Sequence, residues 1–176
     1  KGRVEARFRK GKSPLRGGGW TRIGTAAAGR FKGRLTGIPC GGPYTIEVRI
    51  MEGTRCLDQD QIKDVWVGDV WFMGGQSNMQ GVGLMDTAPK PHPLVRCFYM
   101  RDEWGQACEP LHLLGEAVDP VHNNGQRLTV EQAEQARKTA IRGVGPGLFF
   151  GIEMARRTGV PQGLVACAHG GTSMAA

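Results

Sequence analysis

Hydrophobic and polar positions follow two different rhythms along this chain. From residue 1 to about Gln61, short alternating runs (VEARFR, WTRIGT, GRFKGRL and, after Gly41-Gly42-Pro43, YTIEVRIM) are broken by glycine-rich turn signals. Period-two alternation between turns predicts a small antiparallel β-module over residues 1–61. From Asp64 the texture changes to apolar runs separated by helical patterns. DVWVGDVWFM is nearly unbroken until Gly74-Gly75 and the polar triplet Gln76-Ser77-Asn78. Such a run predicts a strand buried on both faces, as in a parallel sheet with helices above and below. LVRCFYM, residues 94–100, predicts a second short strand. Thr129 and Gln132 form a capping-box pattern ahead of the polar helix EQAEQARKTAIR. Leu148, Phe149, Ile152 and Ala155 space out as the apolar stripe of another helix, which Gly159 and Pro161 terminate. Between these elements, residues 101–128 carry Trp104, Pro110, Pro120 and Asn123-Asn124-Gly125 and read as an irregular excursion of the kind that shapes access to a site. The expected organisation is a β-rich accessory module, 1–61, followed by the opening part of an α/β domain, 62–176.

Composition narrows the class. Hydrophobic residues make up 40% of the 176, and no long apolar segment is present, so a soluble globular protein is expected and no membrane partner. The net charge of +7 is uneven: residues 1–34 hold eleven Lys and Arg against Glu5 alone. A basic arm suits a polyanion. These charges, however, interleave with Val4, Phe8, Leu15, Trp20, Ile23, Phe31 and Leu35, the pattern of solvated strand faces, and nucleic acid is not an expected partner. The five cysteines, Cys40, Cys56, Cys97, Cys108 and Cys167, show no C-x-x-C spacing, which argues against a zinc site. No metal or organic cofactor is called for.

The candidate chemistry sits where the long apolar run stops. Ligands of open α/β sheets bind beyond the carboxyl ends of the strands, which is where Gln76-Ser77-Asn78 falls. Gly74 and Gly75 permit a turn that residues with a β-carbon resist. If Ser77 opens a helix, its own N–H can face a developing oxyanion, with help from the positive helix end. The alternative is that Ser77 or Asn78 merely caps that helix.

Gly75-Gln76-Ser77-Asn78-Met79, preceded by Val67-Gly68-Asp69-Val70-Trp71, resembles the first signature block of the sialate O-acetylesterase family, a branch of the SGNH hydrolases that includes carbohydrate acetylesterases. GLVACAHGGTS, residues 163–173, is similar to the superfamily's second block. Gly145-Pro146-Gly147 with LFFGIEMARRTGVP resembles the usual run into that strand, and Gly41 to Tyr44 a turn that commonly precedes the nucleophile strand. The resemblance implies a flavodoxin-like parallel sheet with helices on both faces. It implies Ser77 as the acyl-accepting nucleophile, with the backbone of Ser77 and of Gly170 or Gly171 as the oxyanion hole and Gln76 and Asn78 able to contact substrate. It further implies an acetylated carbohydrate as substrate and a secreted or periplasmic location. The family's third block, Gln-Gly-Glu-like, and its late Asp-x-x-His are absent. Of His92, His112, His122 and His169, only His122 has an aspartate three residues before it, Asp119, and it comes too early in the chain. The chain is therefore expected to be an amino-terminal fragment whose base lies beyond Ala176. A non-catalytic carbohydrate-binding or degenerate esterase is the other outcome.

Overall fold

In the computed structural model, which describes residues 2–11, 13–14 and 17–171, the elements in chain order are β1 (Gly2–Lys10), β2 (Ser13–Pro14), β3 (Thr21–Ala26), β4 (Gly41–Glu52), β5 (Arg55–Val67), β6 (Asp69–Met73), α1 (Ser77–Gln80), β7 (Gly83–Leu84), β8 (Val95–Tyr99), β9 (Glu103–Gln106), α2 (Val130–Thr139), β10 (Arg142–Val144), α3 (Pro146–Thr158) and β11 (Gln162–Ala166). Thr172 and Ser173, which close the second block, lie outside the described residues. Two units form, one up to Val67 and one from Gly68.

Alternation builds the first unit. Val4, Ala6 and Phe8 of β1 point to one face and are buried, while Arg3, Glu5, Arg7 and Arg9 share the other. β1 pairs antiparallel with β4 from Arg3↔Met51 to Arg9↔Thr45, and β4 pairs antiparallel with β5. The far edge of β1 is shared by β2 and β3. On the charged face, Glu5 sits between Arg3 and Arg49 at 2.7 Å from each, and Glu47 pairs with Arg7 and Arg9. Arg7 and Arg49 also stack on Trp20, at 4.5 and 4.0 Å from its ring centre. The hydrogen bond from Arg49 holds the Glu5 carboxyl below the usual carboxylate range. Three amino-terminal cations, Arg3, Arg7 and Arg9, are thus held in a cross-strand ladder.

Two expectations for this unit change. GRFKGRL forms no strand beyond a single bridge, Ala27↔Arg30. Its backbone lies flat on β3 instead: a β-carbon on Gly24 would stand 2.7 Å from the Lys32 carbonyl oxygen, and one on Gly33 would stand 2.6 Å from that of Ile23. The domain boundary also falls after Val67 rather than after Gln61, because β5 runs unbroken through Asp64 and takes Val65–Val67 from the apolar run. The break comes at Gly68, where a β-carbon would collide with the Pro161 carbonyl.

The second unit is α/β. Its main sheet has the order β6-β11-β8-β9, with β11 parallel to both β6 and β8, and β9 folded back antiparallel on β8. β7 and β10 form a separate ribbon. Helix α3 begins at Gly145-Pro146, proline being tolerated in the first turn, and ends at Gly159 in the left-handed conformation, φ 66°. Leu148, Ile152 and Ala155 bury against Val95, Cys97 and Leu164, whereas Phe149 faces outward. Gly151 lets this helix approach closely, since a β-carbon there would lie 2.9 Å from Val95 and 3.1 Å from Leu164. At the start of β11, buried Gln162 accepts from Trp71 Nε1 at 2.8 Å and donates to the Val160 carbonyl at 2.9 Å. The capping box at Thr129 and Gln132 forms as the sequence predicts. Burial pushes the Cys97 thiol up to about 12, and all five cysteines are free.

The expectation of helices on both faces is not met among the described residues. Trp71 and Met73 of β6 face α3, but Val70 and Phe72 on the opposite face are 57% and 77% exposed. The β6 run is apolar on both sides, yet only one side is covered.

Candidate active site around Ser77

β6 delivers the chain to Gly74 and Gly75. Gly75 has φ +155° and closes tightly on the helix that follows: a β-carbon there would lie 2.8 Å from Met79 Cβ. Gln76 occupies the cap position of α1 and makes no side-chain cap hydrogen bond. Ser77 is the first helical residue, so neither it nor Asn78 serves as the cap. Gly81 N–H donates to the Ser77 carbonyl and Gln80 N–H to that of Gln76, each at 2.9 Å, which completes one turn. A single turn sums few peptide dipoles, so the helix-end field expected from the sequence is small and the local N–H groups matter more. Residues 74–78 are all exposed, with Gln76 and Asn78 flanking the serine.

The second block arrives beside the first because β11 runs parallel to β6 in the register Ala166↔Met73, so both strands end level. His169 N–H then donates to the Gly75 carbonyl at 3.2 Å. Gly170 packs directly on the serine: its β-carbon position is 3.3 Å from Ser77 Cα and 3.4 Å from Ser77 Cβ. Gly170 N–H donates to Gln80 Oε1 at 2.7 Å. Gly171 has φ 79° and open space where a side chain would be.

The histidines fall into three settings. His92 Nδ1 accepts from Leu94 N–H at 3.3 Å within its own turn. His122 ends the short 3-10 turn Pro120–His122, and its Nδ1 lies 3.0 Å from His169 Nδ1. One of these two nitrogens carries the shared proton and the other accepts it. Asp119 does not orient the His122 ring, since its Oδ1 accepts from Val121 N–H at 3.0 Å as a cap. The bare Asp-x-x-His pattern is therefore a turn motif joined to the Ser77 region through a second histidine, not an aspartate–histidine dyad.

His112 has a role that sequence patterns alone did not single out. It is 5% exposed, lies near the Met73 and Gln80 carbonyls, and neither ring nitrogen makes a hydrogen bond. Burial lowers its pKa. The preceding Glu109 accepts from Leu111 N–H at 2.9 Å and from Gly145 N–H at 3.4 Å, and burial raises its carboxyl. The segment Glu109–His112 thus braces the underside of the Ser77 turn and the start of α3. The signal available in the sequence was a polar pair around Pro110-Leu111 inside the excursion.

The His112 shift carries a testable sign. A base whose folded pKa is depressed binds fewer protons folded than unfolded, so its contribution to stability falls as pH drops below the ordinary 6.5 toward the folded value. Glu109 acts the other way in its own range, its penalty being relieved as pH falls through its raised pKa toward 4.5. His112→Gln is expected to flatten the decline of Tm just below pH 6.5. An unchanged slope would show that the folded protein does not depress the His112 pKa.

A further recess lies between α2 and the excursion. It has a volume of about 430 Å³ and is lined by Tyr99, Arg101, Gln106, Arg127, Thr129 and Arg137 among others. Its floor is Glu116, which pairs with Arg101 at 3.0 Å and also with Arg137. Among the described residues no group of three or more His, Cys, Asp and Glu gathers into a metal site.

The model of the carbohydrate esterases described as sialic acid-specific acetylesterase matches residues 67–176. The chain belongs to that family. The matched stretch opens at the β5–β6 boundary and contains both glycine-paired turns. A carbohydrate acetylesterase from Xanthomonas citri shares the fold, with a TM-score of 0.54 at 24% identity over 98% of this chain and 35% of that one. A protein from Arabidopsis thaliana is similar at 24% identity over 59% of this chain and 41% of its own, with a TM-score of 0.41. The chain thus spans about a third of the Xanthomonas enzyme. No curated protein matches it.

Proposed function

We propose that this chain is the amino-terminal part of a carbohydrate O-acetylesterase of the SGNH type, hydrolysing acetyl esters on sugars through a serine acyl-enzyme. The observation that supports this reading is the close packing of Gly170 against the exposed Ser77. Ser77 Oγ attacks the ester carbonyl, the sugar hydroxyl leaves, and water releases acetate in the second step. The Ser77 and Gly170 N–H groups, or that of Gly171, receive the oxyanion, each donor being worth about 3 kcal/mol of barrier. The parallel strands β6, β11 and β8 support the SGNH-type sheet, and the first unit, residues 1–61 with its boundary strand, serves as an accessory scaffold.

The late Asp-x-x-His of the resembled family has no match after the second block of this sequence. We place the general base outside the described residues. The same observation favours the second reading, a binding or degenerate esterase that keeps the serine turn without a base. Fluorophosphonate labelling of the complete protein separates the two. The esterase reading expects rapid, stoichiometric labelling at Ser77, located by peptide mass; labelling no faster than that of a free serine would favour the binding reading.

A further inference from the structure

Gln80 closes the turn that Ser77 opens. Residues three apart on a helix share a face, so its side chain lies on the Ser77 side of α1 and reaches the second block. Its Oε1 accepts the Gly170 N–H at 2.7 Å, and it stands 3.1 Å from the β-carbon position of that glycine, beside Ser77 Cα at 3.3 Å. The N–H that the esterase reading assigns to the oxyanion is therefore already bonded to a neutral carbonyl oxygen of the protein.

We propose that the Gln80 carboxamide oxygen is the resting occupant of the oxyanion site, and that the acyl oxygen enters by displacing it from Gly170 N–H. This rests on the esterase reading above. An amide oxygen is a better acceptor than an ester carbonyl, so a bound ester gains little from the exchange in its ground state. A developing oxyanion makes a charge-assisted hydrogen bond about twice as strong as a neutral one, and it wins the exchange. Ground state and transition state give up the same Gln80 bond, so the contact weakens ester binding and leaves kcat nearly unchanged. Gly170 does not depend on Gln80 for its position. The β6–β11 ladder carries it as far as Ala166↔Met73, and the His169 N–H bond to Gly75 fixes the next turn.

Two substitutions at Gln80 give opposite expectations. Gln80→Met keeps the length and apolar stem but removes the acceptor; Gln80→Glu substitutes a charged acceptor that grips the N–H and repels the oxyanion. In the complete enzyme with 4-nitrophenyl acetate, Gln80→Met is expected to lower KM by about two- to tenfold, the range of one neutral hydrogen bond. Gln80→Glu is expected to lower kcat/KM by more than about tenfold. Amide exchange at Gly170 provides a readout apart from activity, and it should accelerate in Gln80→Met. Equal losses of kcat/KM in both variants of an active enzyme would make Gln80 a brace and overturn the proposal. Unchanged Gly170 exchange in Gln80→Met would overturn it as well. A wild-type enzyme that neither hydrolyses esters nor acylates Ser77 would sink the esterase reading and this assignment together, and so is distinguishable from the other two results.

Discussion

Replacing Ser77 with alanine is expected to lower kcat for acetyl-ester hydrolysis in the complete enzyme by at least about 10⁴-fold while leaving the fold intact. Both halves follow from the position of the residue. Ser77 is exposed and is not a capping residue, so removing its hydroxyl breaks no buried hydrogen bond and no cap. A substitution of that kind usually changes stability by no more than about 0.5 kcal/mol. Its hydroxyl is nevertheless the one that the proposed function makes the nucleophile, on a residue packed against Gly170. Steady-state hydrolysis and thermal melting on the same preparation test the pair of expectations. Activity retained within tenfold would remove Ser77 from the mechanism, and a large fall in Tm would make any loss of activity uninformative about chemistry.

Legibility of the fold tracked how far local pattern and tertiary burial agreed. β1 was visible because alternation there reports burial directly, with Val4, Ala6 and Phe8 inside and arginines outside. β5 was not, because RCLDQDQIKD is polar on both faces and stays exposed; backbone pairing with β4 alone makes it a strand. β9 was hidden for a similar reason: four residues folded back on β8 carry no periodicity of their own. The capping box and the Gly159 stop of α3 are local chemistry and held. The apolar run from Asp64 predicted one strand where there are two, since nothing nearby in sequence reveals that Pro161 will occupy the space beside Gly68.

The site divides along the same line. The two glycine-paired turns were readable, and the parallel register of β6 and β11 brings them together. The contributions of Gln80, His112 and His169 were not readable to the same degree, because each depends on a contact across the fold. Gln80 meets Gly170 ninety residues on, and His169 meets His122 across forty-seven. Asp119 shows the converse error that spacing invites: the pattern is present, but the carboxylate is spent on Val121 N–H.

Glu116 is expected to give the largest loss of stability. Its side chain is 3% exposed and faces both Arg101 and Arg137, while Arg127 Nε donates to its backbone carbonyl at 3.1 Å. Both arginines also lie over the Tyr99 ring, each at 4.7 Å from its centre. Replacing Glu116 with alanine leaves two guanidinium groups converging on one buried space. Arg101 keeps Glu103 at 2.8 Å, but Arg137 is left with the Pro110 carbonyl at 2.6 Å and the ring. Removing one partner of a buried ion pair costs about 3–5 kcal/mol; the partial exposure of Arg101 sets the expectation near the lower end, about 3 kcal/mol by urea unfolding. Glu116→Gln keeps the shape without the charge and should fall between that variant and wild type. The exposed pair Arg157–Glu153 is the control, and Arg157→Ala should change stability by less than about 0.5 kcal/mol. A loss below 1 kcal/mol in Glu116→Ala would mean that water enters the recess and screens the arginines. The network also ties the 101–128 excursion to α2, and that excursion carries His122 to His169 beside the Ser77 turn. Glu116→Ala should therefore loosen the His122–His169 contact below the melting transition, which the ring signals of both histidines would report by NMR.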